Sequence, residues 1–139
     1  MSIEEALEWI HSRLKFNIRP GLSRVSALLE LLGHPEESLS MIHVAGTNGK
    51  GSTVAYLRSI LLEAGVTVGS FTSFTSPFIT TFGERMSINA LPIAEDKLIY
   101  YVEMIQPLVA ELDKDAELTG ITEFEIITAM AFKYFADEQ

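Results

Sequence analysis

The 139 residues include no cysteine, so disulfides and thiolate chemistry are excluded, in keeping with a reducing compartment. Basic residues are scarce: ten Lys and Arg stand against nineteen Asp and Glu, for a formal net charge of −9. Neutralising the phosphates of a nucleic acid needs a basic surface, so nucleic acid is excluded as a partner. A small anion held by a loop and a helix end stays open, because such a site draws on backbone dipoles more than on net charge. No apolar run approaches the roughly 20 residues that span a membrane. The opening, MSIEEALEW, is acidic and lacks the basic start of a signal peptide. Together these absences point to a cytoplasmic protein with no membrane partner. Hydrophobic residues make up 47%, enough for a compact domain with a real core.

The most informative stretch is Ile42 to Ser52, IHVAGTNGKGS. A short apolar run meets a glycine-rich loop, a lysine and then hydroxyl residues. A phosphate-binding loop is built this way. Glycines let the backbone turn and bring its N–H groups to an anion, the lysine offsets charge, and the next helix aims its positive end at the same place. Lys50 is then the residue for the β- and γ-phosphates of a nucleotide. The N–H groups of Asn48 to Ser52 wrap phosphate oxygens, and Ser52 or Thr53 caps the helix or touches phosphate or metal. The competing reading is a glycine-rich turn without a ligand.

The rest of the chain is placed around this loop. Ser2 and Glu5 have capping-box spacing before an apolar stripe of Ile3, Leu7, Ile10 and Leu14. A second helix is predicted over Ser23–Leu32, with Val25, Leu28, Leu29 and Leu32 inward and Gly33 as its stop. Met41–Ala45 reads as a buried parallel strand with His43 as a hydrogen-bonded core residue. A helix over Ser52–Ala64 and a strand over Val66–Phe71 then complete one βαβ unit. Residues 72–84 form a Ser/Thr/Phe-rich loop, Arg85–Ile88 a short strand and Asn89-Ala90 a turn. A long helix covers Ala94–Asp113, and a last one starts near Thr122, with Glu125 completing a second capping box. Phe124, Ile127, Ala131 and Phe135 line one side of that helix, and Ile126, Met130 and Tyr134 make the other side apolar too, so it is expected to be deeply buried. Two parallel strands do not make a stable open sheet. The 139 residues therefore read as the N-terminal piece of a longer enzyme.

The loop is neither a Walker A sequence nor a dinucleotide fingerprint. Val44 stands where Walker A needs glycine, Gly51 stands where it needs a hydroxyl, and the glycines are spaced G-x-x-G-x-G. What stands is Gly46-Thr47-Asn48-Gly49-Lys50-Gly51-Ser52-Thr53. This GTNGKGS run after IHVA resembles the folylpolyglutamate synthase and dihydrofolate synthase family, within the wider Mur-ligase-like ATP-dependent ligases. Gly21-Leu22-Ser23-Arg24 resembles the family's GLxR segment. Thr75-Ser76-Pro77-Phe78, followed by Gly83-Glu84-Arg85-Met86, is similar to its TSP…ER segment, and Thr122-Glu123-Phe124-Glu125 matches its TxFE segment. The resemblance runs from about residue 3 to 136.

That resemblance implies an α/β fold, a three-layer P-loop nucleotide-binding domain of Mur-ligase-like and Rossmann-like kind, its parallel sheet incomplete in this chain. Residues 1–139 would be the N-terminal part of the ATP-binding domain, with the rest of that domain and a C-terminal domain absent. The implied reaction adds L-glutamate to folate or to dihydropteroate with ATP and Mg²⁺. Phosphoryl transfer turns the acceptor carboxylate into an acyl phosphate, which the glutamate amine attacks. Lys50 is the catalytic residue and Gly46 to Thr53 hold ATP. Ser76 is the metal ligand; the repeat Phe71-Thr72-Ser73 and Phe74-Thr75-Ser76 makes Ser73 the competitor, and the proline after Ser76 favours the latter. Thr122, Glu123, Phe124 and Glu125 line the acceptor pocket, with Phe124 stacking on a flat ring; helix capping and core packing are the competing reading. Arg24 and Arg85 read as partners of substrate carboxylates, against surface salt bridging. Two further classes remain: a P-loop phosphotransferase or NTPase, and a non-catalytic nucleotide-binding domain. The first calls for a hydroxyl directly after the lysine, which Gly51 is not.

Overall fold

The computed structural model describes residues 1–72 and 82–139. In chain order its elements are α1 (Ile3–Ser12), α2 (Ser23–Leu31), α3 (Lys50–Glu63), β1 (Gly69–Phe71), β2 (Met86–Ile88), β3 (Leu91–Pro92), α4 (Glu95–Leu112) and α5 (Glu123–Asp137). They divide into two compact units, one made of Met1–Leu39 with Ala94–Glu138, the other of Ser40–Ile93.

The first unit is helical. α1 starts on the predicted capping box: Glu5 N–H donates to Ser2 Oγ at 3.1 Å, and Ser2 N–H to Glu5 Oε2 at 2.7 Å. It buries Ala6 and Ile10 and ends at Ser12. A 3₁₀ turn over Arg13–Lys15 then changes the angular step, so Arg13 turns inward and Leu14, expected in the stripe, is 67% exposed. α2 buries Leu28 and Leu29 and closes as a Schellman motif. Gly33 takes φ 83°, its N–H reaches Glu30 C=O at 3.0 Å, and His34 N–H reaches Leu29 C=O at 2.9 Å. α4 buries Leu98, Tyr101, Val102, Ile105, Val109 and Leu112, a stripe at steps of three and four. α5 buries Ile126, Ile127, Ala129, Met130, Ala131 and Tyr134, so the expected all-round burial of this helix is met over most of its length.

The second unit departs further from the sequence reading. Met41–Ala45 forms no strand; Met41, Ile42 and His43 are exposed, so His43 is not a core residue. A strand exists only against a ladder partner, and among the described residues nothing pairs with this run. The expected strand over Val66–Phe71 shortens to β1, which pairs antiparallel with β2 rather than parallel through α3. No βαβ unit therefore forms among the described residues. The sheet is a three-stranded antiparallel meander, β1-β2-β3, with Ser70 opposite Ser87 and Ile88 opposite Leu91. Asn89 and Ala90 make the predicted turn with φ of 50° and 68°, the left-handed pair that a tight hairpin needs. Met86, Ser87 and Ile93 are buried, whereas α3 buries no residue, with Tyr56 72% and Ile60 64% exposed.

Candidate functional site

α3 begins directly on the glycine-rich loop. Gly49 is its N-cap at φ 79°, and Gly46 upstream takes φ 152°. A side chain is strained at the first of these, which explains the glycine there. The first intrahelical bond runs from Thr53 N–H to Gly49 C=O at 2.9 Å. The N–H groups of Lys50, Gly51 and Ser52 precede it and have no acceptor within the helix. The expected Ser52 or Thr53 cap is not formed, because the helix starts earlier and its cap position is a glycine without a side chain. A Cβ placed on Gly46, Gly49 or Gly51 would meet nothing within 4 Å among the described residues, which leave the backbone open to an approaching group.

Lys50 is exposed and curls over the loop, its Nζ donating to Gly46 C=O and, at 3.4 Å, to Thr47 C=O. An ammonium has three donors, so it can turn between these carbonyls and an anion. Helix N–H groups without an intrahelical acceptor, a positive helix end and a lysine on the same short loop fit a phosphate group. Thr47 and Asn48 lie exposed on the loop, and Ser52 and Thr53 lie exposed in the first turn of α3.

In the same unit Arg85 sits in a 3₁₀ turn over Phe82–Arg85, its guanidinium 5.0 Å over the Phe82 ring. Ser73 and Ser76, the two candidate metal ligands, lie outside the described residues. Among the described residues no group of three His, Asp or Glu is placed to hold a metal ion.

The other candidate residues belong to the helical unit. Thr122 caps α5: Glu125 N–H donates to Thr122 Oγ1 at 3.3 Å and Thr122 N–H to Glu125 Oε2 at 3.0 Å. Glu123 is 5% exposed, and His11 Nδ1 lies 3.3 Å from its Oε2. Phe124 is 48% exposed, so it is not the core residue that the apolar stripe suggested. Arg24, expected to face a substrate carboxylate, is only 5% exposed. Its Nε and Nη2 bond both oxygens of Glu125, at 3.1 and 2.8 Å, and Nη2 also bonds Arg19 C=O at 3.0 Å.

Sequence reasoning missed Arg13. It is 8% exposed and forms a bidentate pair with Asp113 at 3.0 and 3.1 Å. Its Nε donates to Ile121 C=O at 3.0 Å, and the guanidinium lies 4.3 Å over the Phe16 ring. Burial pulls the Asp113 carboxyl upward, but hydrogen bonds from Arg13 and the Gly120 N–H, with the charge of Arg13, outweigh it and hold it below the usual carboxylate range. The signal for Arg13 was faint: it follows the last buried position of α1 by three residues, a core-facing spacing occupied by a charge.

No family model matches the sequence. Curated relatives and solved structures do. The chain is 53% identical over 134 residues to the dihydrofolate synthase/folylpolyglutamate synthase of Bacillus subtilis, covering 96% of this chain and 30% of that one. It superposes on folylpolyglutamate synthetase from Lactobacillus casei with a TM-score of 0.88 at 37% identity, covering 100% of this chain and 34% of that one. It also superposes on Mycobacterium tuberculosis folylpolyglutamate synthase complexed with ADP, with a TM-score of 0.85 at 36% identity and 98% and 30% coverage. The chain thus spans about a third of the length of the relatives it matches. The match fixes the fold class as the Mur-ligase-like ATP-binding kind, mixed α/β with a small sheet. By sequence and by fold, over nearly its whole length, the chain is homologous to the folylpolyglutamate synthase/dihydrofolate synthase family.

Proposed function

We propose that residues 1–139 are the N-terminal part of the ATP-binding domain of a longer cytoplasmic ligase that joins L-glutamate to folate or to dihydropteroate. The observation that supports this reading is the start of α3: a left-handed glycine cap, N–H groups without an intrahelical acceptor and Lys50 together, in a chain homologous to such ligases. Gly46 to Thr53 hold the triphosphate of ATP. The γ-phosphoryl group supplies the activation that an acceptor carboxylate lacks toward an amine. Lys50 leaves the Gly46 and Thr47 carbonyls to offset the charge that collects on the transferred oxygens, the kind of fixed electrostatic help that such reactions depend on. Thr122, Glu123, Phe124 and Glu125 serve the acceptor, the half-exposed Phe124 ring offering a flat apolar face. Arg85 serves a substrate carboxylate. Ser76 would be this chain's ligand to Mg²⁺, whose carboxylate partners would come from the rest of the longer protein. The 139 residues alone should hold nucleotide weakly and without turnover.

The test is ADP formation by the full-length gene product with L-glutamate, folate and dihydropteroate omitted in turn. ADP should appear only when glutamate and one acceptor are both present; release that needs neither would sink the ligase reading. Lys50→Ala should lower kcat by about 10²–10³-fold. Because Lys50 is exposed, its unfolding midpoint should match the parent's. Retained turnover would remove the role given to Lys50.

A further inference from the structure

We infer that Arg13 and Arg24 are positioning residues that clamp the Thr122–Glu125 segment from its two ends, and that Arg24 acts through Glu125 rather than on a substrate carboxylate. The inference rests on the reading that this segment serves the acceptor. Its basis is where the two guanidiniums spend their donors. Arg24 gives three hydrogen bonds, two to Glu125 and one to Arg19 C=O, from a site 5% exposed. Glu125 in turn receives Thr122 N–H on Oε2. A substrate carboxylate reaching Arg24 would have to displace Glu125 and leave a carboxylate that is 13% exposed without its cation. Losing one partner of a buried pair is costly, and one carboxylate gains little by replacing another.

The other end is held in the same manner. Arg13 bonds Ile121 C=O, the peptide directly before Thr122, while its fork grips Asp113. Asp113 Oδ1 also accepts Gly120 N–H at 3.0 Å and the Thr119 hydroxyl at 3.4 Å, and Arg19 Nη2 bonds Thr119 C=O. Residues 119–121 are thus fixed on one side of the segment and Glu125 on the other. Phe124 stands between two fixed points on the first turn of α5, half exposed. A binding group held this way loses little freedom when its ligand arrives, so the clamp should appear in acceptor affinity.

The full-length protein tests this with a double-mutant cycle of Arg24→Lys and Glu125→Gln, read as acceptor KM. Arg24→Lys alone should raise that KM about tenfold, with kcat and the KM for ATP little changed, and should add almost nothing once Glu125→Gln is present. Multiplying effects would show that Arg24 meets the substrate directly and would overturn the inference. A second readout does not depend on ligase activity. In Arg13→Lys, or in Asp113→Asn if the first variant accumulates poorly, amides of 121–126 should exchange about tenfold faster with α4 unchanged. Unchanged exchange at 121–126, or acceleration throughout α4 and α5, would overturn the clamp. Absence of glutamate-dependent ADP formation in the parent would defeat the proposed function alone, and the exchange data would still decide the clamp.

Discussion

Ala90 holds a φ of 68°, a value at which its Cβ crowds the following carbonyl, and it does so because the hairpin between β2 and β3 needs left-handed backbone at both turn positions. Ala90→Gly should therefore raise stability by up to about 1 kcal/mol, the left-handed strain exceeding the added freedom of the unfolded chain. A higher urea midpoint at unchanged m-value would show it. Gly120 presents the opposite case. It has φ 82°, and a Cβ there would lie 3.2 Å from Arg19 Nη2 and 3.3 Å from Phe16 Cδ1. Gly120→Ala combines strained backbone with crowding and should cost about 2 kcal/mol by the same measurement. At this scale the sequence was legible where the cause is local. The Asn89-Ala90 turn and the stop at Gly33 could be read, because a turn is decided within a few residues. Arg13 could not, because what makes a buried arginine acceptable is Asp113, and the two lie 100 residues apart.

Helices carry their own start and stop signals, and the capping boxes at Ser2 and Thr122 were both legible. They are not equivalent in strength. Ser2 is exposed, so water replaces its hydroxyl; Thr122 is 7% exposed, so its loss leaves Glu125 N–H short of an acceptor in a partly buried place. Thr122→Ala should cost about 1–2 kcal/mol and Ser2→Ala about 0.5, the spread seen among helix caps. Thermal unfolding followed by circular dichroism ranks the two. Strands were less legible for a physical reason: the apolar run Met41–Ala45 has the composition of a buried strand, but pairing is a property of two segments. No partner for it occurs among the described residues, where the two ladders that form join β2 to β3 around Asn89 and β2 to β1. At the glycine-rich loop the turn into α3 was legible, but its cap was not, since the helix starts on Gly49 rather than on Ser52 or Thr53. The clamp around Thr122–Glu125 was only half legible, since the box spacing showed in sequence and the arginines closing it did not.

The whole chain carries a formal charge of −9, and its carboxylates set how it meets acid. Asp113 is held below the usual carboxylate range when folded, with burial opposing and Arg13 and Gly120 N–H prevailing. A folded-state pKa below the unfolded value means that Asp113 contributes its full stabilisation above about pH 4, the unfolded carboxylate range, and loses it as pH falls through the folded value. Asp113→Asn should thus be less stable than the parent at pH 7, and the two urea midpoints should converge as pH drops below about 4. A constant gap across that window would mean that the pair is not what Asp113 contributes.

The core is also unevenly distributed along the chain, and this decides how the protein opens. Ile10, Leu28, Ile105, Ile126 and Met130 are fully buried in the helical unit, whereas α3 buries no side chain along its 14 residues. Helical hydrogen bonds persist mainly when an apolar face is packed, since a helix of about 12–15 residues is marginal in water by itself. The two units should therefore not report one common opening free energy. Amides of α3 should exchange early, by local fraying from the Gly49 cap and the Gly65 stop. Those at the centres of α4 and α5 should exchange last, at the free energy of global unfolding. Hydrogen exchange on the 139-residue chain separates these cases, and nucleotide provides the control. Adding ATP should slow exchange in the first turns of α3 and leave the centres of α4 and α5 unchanged, because a ligand protects most where it replaces missing hydrogen-bond partners. Uniform protection across all helices would instead mean that α3 and the helical core unfold as one cooperative body.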